Sequence, residues 1–163
     1  MENINLTALY QMQNDHPKSF ILVLRNIYGY ELEVLKDRCY DAINSITEEA
    51  GKDRSRDKFV IDDLEKLEQM FDGPINIAKF FRKTEMGSFI SADDLMANLK
   101  AIQTRIRSAR KGFDDFLQNL GKQQRDGKIT EEDAQAEFYE CRDSLFTNLA
   151  GVLVSLEELD KKI

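Results

Sequence analysis

Side chains with metal-binding or nucleophilic chemistry are few in this chain and lie far apart. The sequence has one histidine, His16, and two cysteines, Cys39 and Cys141. Structural zinc sites need clustered Cys and His ligands, and di-iron bundles need a Glu-x-x-His pair on each of two helices. Neither set can be assembled here, and the glycine-rich sequence motifs that bind phosphate are missing as well. We therefore expect no metal site and no bound cofactor.

Adjacent acidic residues occur three times, at Asp62-Asp63, Asp93-Asp94 and Asp114-Asp115. Neighbouring side chains on an α-helix point about 100° apart, so a doublet does not make an acid–base pair by itself. Solvated helix faces and helix starts explain the three doublets. We expect no catalytic residue and no enzyme activity, although a catalytic site built from scattered residues stays open.

Basic residues are concentrated in one segment of an acidic chain. The net charge is −7, yet eight basic and only three acidic residues lie between Lys79 and Lys111. Two interpretations are open: the cations bind an acidic partner, or they pair with acids on a neighbouring helix of the same bundle. The binding hypothesis assigns the contact to Arg105, Arg107, Arg110 and Lys111.

A second segment combines aromatic and basic side chains. Two adjacent phenylalanines cannot both face one side of a helix, so this segment carries more apolar surface than one packed face needs. The surplus either fills the end of a helical bundle or forms an aromatic–cation surface of the kind found in protein interfaces. The second alternative adds four partner-binding residues: Phe80, Phe81, Arg82 and Lys83.

The elements that would position these residues are helices. From Leu95 to Leu120 apolar residues recur at alternating steps of four and three, and a second run with steps of four and three extends from Ala134 to Ile163. That period is typical of helices packed along their length against other helices. We predict an all-α fold: an elongated antiparallel bundle of three long helices, at about 17–50, 92–120 and 130–162, with short helices at about 4–13, 58–72 and 75–84.

Two stretches of these helices are apolar on every side, Phe20 to Leu24 and much of Leu149 to Leu156. A helix with one buried face needs only one apolar stripe, so such stretches must lie centrally or be covered by another chain. A homodimer is therefore possible, and we expect its interface to include Phe20, Val23, Ile27 and Tyr30.

Length and composition limit the remaining possibilities. A chain of 163 residues suits a single domain over residues 1–163. The longest apolar run is too short to span a membrane and the amino terminus has no basic leader, so we expect a cytoplasmic protein without a membrane segment. The acidic remainder makes general nucleic-acid binding unlikely.

Two classes of function fit these features. The first is a non-catalytic protein-interaction module, such as an adaptor, chaperone-like protein, inhibitor or regulatory subunit, that binds another protein with an acidic surface. The alternative is a small-ligand or nucleotide-binding regulator that uses the basic patch on the 92–120 helix.

Overall fold

The computed structural model describes residues 6–51, 53–78, 80 and 91–162, apart from the side chains of Leu6, Ile21 and Arg54. These residues form helices and no strand, so the all-α prediction is confirmed. The helices are α1 (Leu6–Asp15), α2 (Pro17–Glu49), α3 (Arg54–Met70), α4 (Asp72–Ile77), α5 (Ala92–Arg125) and α6 (Glu131–Lys162).

Short polar side chains begin three of these helices. Asp53 accepts a hydrogen bond from the Arg56 N–H at the start of α3, and Ser91 accepts one from the Asp94 N–H at the start of α5. Thr130 does the same for α6. Each bond satisfies a backbone N–H that has no partner within the helix, which typically contributes about 1 kcal/mol. Helix α2 begins instead with Pro17, whose fixed φ suits a first turn.

Four helices form the body of the fold. The main contacts run from α2 to α3, from α3 to α5, from α5 to α6 and from α6 back to α2. Helix α3 therefore takes the place of a fourth bundle helix beside the three long ones predicted from the sequence. Helix α1 packs on α2, and α4 connects α3 to α5.

Neighbouring helices in this ring run antiparallel. On α5 and α6, Arg105 lies beside Gly151, whereas Phe113 lies beside Phe138, later on one helix and earlier on the other. The same inverse order holds for α2 and α6, through Lys36–Asp160 and Gly51–Phe138, and for α2 and α3, through Arg38–Asp63 and Glu49–Arg56. It also holds for α5 against α3 and the start of α4, where Arg110 contacts Glu68 and Gln103 contacts Asp72.

The core runs along the bundle axis. Its largest fully buried side chains include Tyr28, Phe20, Phe71, Phe80 and Phe113. The Tyr28 hydroxyl donates a hydrogen bond to the carbonyl of Pro74, which ties α2 to α4 and satisfies a polar group in an apolar environment. Burial raises the pKa of this phenol, so it stays protonated.

Two predicted helix ends were wrong, for identifiable reasons. The helix from residue 92 does not end before Gly121 but continues to Arg125, because Gly121 has an ordinary helical backbone. The left-handed residue that follows the helix is Gly127, with φ 67°. The short helix predicted at about 75–84 begins earlier, at Asp72, because Pro74 lies in its first turn, where a missing N–H costs nothing. Residues 81–84 of that prediction lie outside the described residues.

Candidate functional site

The basic residues predicted to bind a partner are largely engaged within the bundle. Arg107 Nε lies 2.6 Å from Glu68 Oε1, and Arg110 Nε and Nη2 each lie 3.2 Å from Glu68 Oε2. Glu68 belongs to α3 and is only 7% exposed. Its two carboxylate oxygens therefore each bind one guanidinium of α5. This geometry agrees with the second interpretation of the basic stretch, in which the cations pair with an acid on a neighbouring helix.

The other two basic residues differ from this pair. The Arg105 guanidinium lies over Gly151 of α6, so close that a larger residue at that position would overlap it. Lys111 is exposed, and no ion pair joins it to another residue in the described portion of the chain. The four cations thus do not form one continuous surface.

The aromatic segment is represented in the structure by Phe80, which is 1% exposed. Its ring lies 4.8 Å from the Tyr10 ring and 5.8 Å from the Phe20 ring, measured between centroids. Phe80 therefore fills the end of the bundle and does not belong to a surface that binds a partner. Phe81, Arg82 and Lys83 lie outside the described residues.

The four residues predicted at a dimer interface differ in their exposure. Phe20 is fully buried in the core of its own chain, which corrects its assignment to an exposed interface. Val23 and Ile27 are half-buried, and Ile27 packs against the core, whereas Tyr30 is 62% exposed. Only some residues of the predicted set are accessible to a second copy.

A feature that the sequence did not predict is an open cleft at the end of the bundle, with a volume of 1430 Å³. We call it the terminal cleft. It lies between the beginning of α3 and the last turns of α5, and it reaches α6 and the α2–α3 connection. Its lining comprises Ala50, Gly51, Asp57, Lys58, Ile61, Asp62, Asp114, Asp115, residues 117–122, Gln124, Arg125, Glu131, Ala134, Gln135, Phe138, Tyr139 and Arg142.

The polar contacts between α3 and α5 in the described residues lie outside the cleft. Beyond the Glu68 pairs, Gln103 Nε2 donates to Asp72 Oδ1 at 2.8 Å and to the Glu68 carbonyl at 3.0 Å. Among the described side chains, no hydrogen bond or ion pair joins residues 54–62 of α3 to residues 114–125 of α5. Polar contacts therefore join the two helices at the level of Glu68, and the cleft lies between them where the described side chains make no such contact.

The base of the cleft is apolar. Leu120, Ala134 and Ala50 are buried, and Leu117, Ile61 and Phe138 are half-buried with their remaining surface beside the opening. Gly51, with φ 87°, brings the backbone against the Phe138 ring: a Cβ there would be 2.8 Å from its nearest carbon. This close approach joins the α2–α3 connection to α6 and sets one boundary of the cleft.

The rim is polar and its charges are separated along the cleft. The antiparallel register that places Glu68 beside Arg107 and Arg110 brings Asp62 level with Asp114 and Asp115 of α5, and Asp57 level with the following turn of α5, which carries Gln118 to Gly121. None of these four aspartates pairs with a cation among the described side chains, although Lys58 lies close by. Lys122 and Arg125 lie further along α5 and also line the cleft.

Two polar groups of the lining, on Asp57 and Arg142, lie in partly buried environments. Burial raises the pKa of Asp57, and the Asp53 carboxylate adds to this, although the Gly51 N–H donates to Asp57 Oδ1 at 2.8 Å and opposes the shift. Arg142 stacks on Tyr139, with its Cζ 4.7 Å from the ring centroid, and its buried Nε has no hydrogen-bond partner among the residues that the structure describes. An N–H of this kind can donate a hydrogen bond to a ligand oxygen.

The comparisons with known proteins are negative. No family model, curated protein or solved structure matches the chain. Any proposal about function therefore rests on the residues and their geometry.

Two further findings concern metals and membranes. Within the described ranges, no group of three or more His, Cys, Asp or Glu side chains is arranged to hold a metal ion. No described helix combines the length and the apolar character required to cross a membrane. Cys39 and Cys141 are both free thiols.

Proposed function

We propose that this chain is a non-catalytic protein-interaction module that binds a segment of another protein in the terminal cleft. The observation that carries the proposal is the cleft itself, because an apolar base inside a charged, solvent-exposed rim is the usual composition of a protein-binding surface. Tyr139 and Arg142 at its edge belong to the residue types that most often contribute strongly to binding. The free cysteines fit a cytoplasmic location, which we include in the proposal.

The shape of the cleft favours a protein over a small molecule. Small-molecule sites are typically concave pockets of about 300–1,000 Å³ that enclose most of the ligand. The terminal cleft is larger, at 1430 Å³, and is open along its length. The alternative, a nucleotide held by the basic patch, has less support because two of the residues that would bind it, Arg107 and Arg110, already pair with Glu68.

Gly121 provides a way to block the cleft without disturbing the fold. It lines the cleft in a regular helical conformation, and a Cβ there would meet only the end of the Arg125 side chain, at 3.4 Å. Gly121→Trp therefore places an indole in the cleft. Gly112→Trp is the matched control, because Gly112 lies on the same helix outside the cleft with nothing within 4 Å of its Cβ position.

The experiment is affinity purification of tagged wild type and both variants from the source cells, after circular dichroism has shown that each variant is folded. We expect wild type and Gly112→Trp to retain the same stoichiometric protein and Gly121→Trp to lose it. Equal recovery with all three proteins, or retention of a small molecule and no protein, would contradict the proposal. If Gly121→Trp fails to fold, Gln118→Trp on the same wall replaces it.

A further inference from the structure

We propose that the occupant of the terminal cleft is an amphipathic α-helix of a partner protein whose polar flanks are basic where it passes Asp62, Asp114 and Asp115. This inference rests on the proposed function and specifies the partner. It also reverses the charge expected from the sequence, where the basic stretch predicted an acidic partner. That stretch pairs internally with Glu68, whereas the aspartates of the cleft have no such pairs among the described side chains.

The length of the α5 wall of the cleft matches a short helix. The segment of α5 that lines it, residues 114–125, is about 18 Å long at 1.5 Å per residue. A partner helix of about 12 residues, or three turns, covers that distance. Such a helix presents apolar side chains at positions i, i+3 or i+4, and i+7, which is the usual way in which a hydrophobic groove binds a helix.

The interior of the cleft supplies the apolar contact. Leu117, Leu120 and Phe138 lie on α5 and α6, and Ile61 faces them from α3. An incoming helix between α3 and α5 would bury the exposed remainder of these side chains at the level where the two helices separate. The incoming helix would thereby pack against both α3 and α5, next to the level at which Arg107 and Arg110 pair with Glu68.

Charge complementarity sets the polar character of the partner. Asp62 on the α3 wall lies level with Asp114 and Asp115 on the α5 wall, so both walls are acidic at that level. The cations of the lining lie elsewhere: Lys58 one turn before Asp62 on α3, Lys122 and Arg125 towards the end of α5, and Arg142 on α6. A helix with Lys or Arg on both flanks where it passes these three aspartates can pair with both walls at once, whereas acidic flanks at that level would meet like charges.

The test uses two designed peptides of about 15 residues with identical leucine stripes, one with lysine and one with glutamate at the flanking positions. Binding of each peptide is measured by fluorescence anisotropy at low and high salt. We expect the lysine peptide to bind wild-type protein at least about tenfold more tightly than the glutamate peptide, with a difference that shrinks as salt rises.

Charge-reversal variants then test whether the aspartates of the cleft cause the preference for the lysine peptide. Asp62→Lys with Asp115→Lys should reverse the preference between the peptides. Asp37→Lys with Glu157→Lys is the matched control: both acids are exposed, lie outside the cleft and give the same change in net charge. This control should retain the preference for lysine.

The outcomes separate the two proposals. Equal binding of both peptides, blocked by Gly121→Trp, would overturn the basic partner and leave the cleft as a protein site. Binding of the lysine peptide that Gly121→Trp does not change, or that the control reversals weaken equally, would show that the peptide binds elsewhere and would remove the support for both. Self-association that competes with the peptide would identify a second copy as the occupant and would also overturn the basic partner.

Discussion

Arg107 Nε of α5 lies 2.6 Å from Oε1 of Glu68 on α3. With Arg110 on the other carboxylate oxygen, this pair joins two helices that are distant in the sequence and that separate again at the level of the terminal cleft. The same contact therefore explains why the basic stretch is not a free binding surface and where the terminal cleft begins.

Charge reversal at Arg107 should lower stability. Arg107→Glu brings a second carboxylate to the nearly buried Glu68 and removes one of its charged hydrogen bonds, so we expect a loss on the order of 2 kcal/mol. In a chain of this length that corresponds to roughly 4–8 °C in melting temperature. Lys111→Glu, on an exposed side chain one turn away, should change stability by no more than about 0.5 kcal/mol. Thermal melts of the two single variants make the comparison, and equal stability would contradict the role of the Glu68 pairs.

Two glycines beside the cleft should respond oppositely to alanine. Gly121 lies inside α5 with an ordinary φ, so Gly121→Ala should stabilise the protein by about 0.5–1 kcal/mol. Gly51 has φ 87° and an added Cβ would be 2.8 Å from the Phe138 ring, so Gly51→Ala should destabilise by more than about 1 kcal/mol. Urea unfolding measures both changes. A stable Gly51→Ala variant would show that this connection does not hold the end of α2 against α6.

The two thiols should alkylate slowly in the folded protein. Burial raises the pKa of Cys39 to about 11 and also raises the pKa of Cys141. Because the thiolate is the reactive form, a raised pKa lowers its fraction at neutral pH, and the fraction increases as pH rises towards the pKa. We expect Cys141, which is half-buried, to react with iodoacetamide before the fully buried Cys39, and both to react at once in denaturant. Rapid labelling of Cys39 under native conditions would contradict its burial against α6.

The fold was largely predictable because packed helices require apolar residues at a regular spacing, and that spacing is visible in the sequence. The stripe from Leu95 to Leu120 identifies a buried helix face whatever the partner is, and most of its members are buried. The role of α3 was less visible, since a helix of 17 residues gives a shorter pattern than its neighbours. Gly121 misled the prediction because glycine ends a helix only where the backbone turns left-handed, which a sequence does not reveal.

The site was not predictable in the same way. Glu68 directly follows the buried Leu67 on α3, and its position against Arg107 depends on the register between α3 and α5, which no local pattern encodes. The terminal cleft depends in addition on where α3 begins relative to the end of α5. One signal was present: the apolar stripe of α5 continues to Leu120, while the chain between α2 and α3 reverses at Gly51.

The most direct measurement of the central claim is site-specific photocrosslinking in the source cells. Benzoylphenylalanine replaces Tyr139, a partly exposed aromatic residue at the edge of the terminal cleft, or Tyr40, which is 50% exposed on α2 outside the cleft. A protein that binds in the cleft should form a discrete crosslinked adduct from position 139 and none from position 40. An adduct from position 40 alone, or the same adducts from both positions, would contradict binding in the cleft.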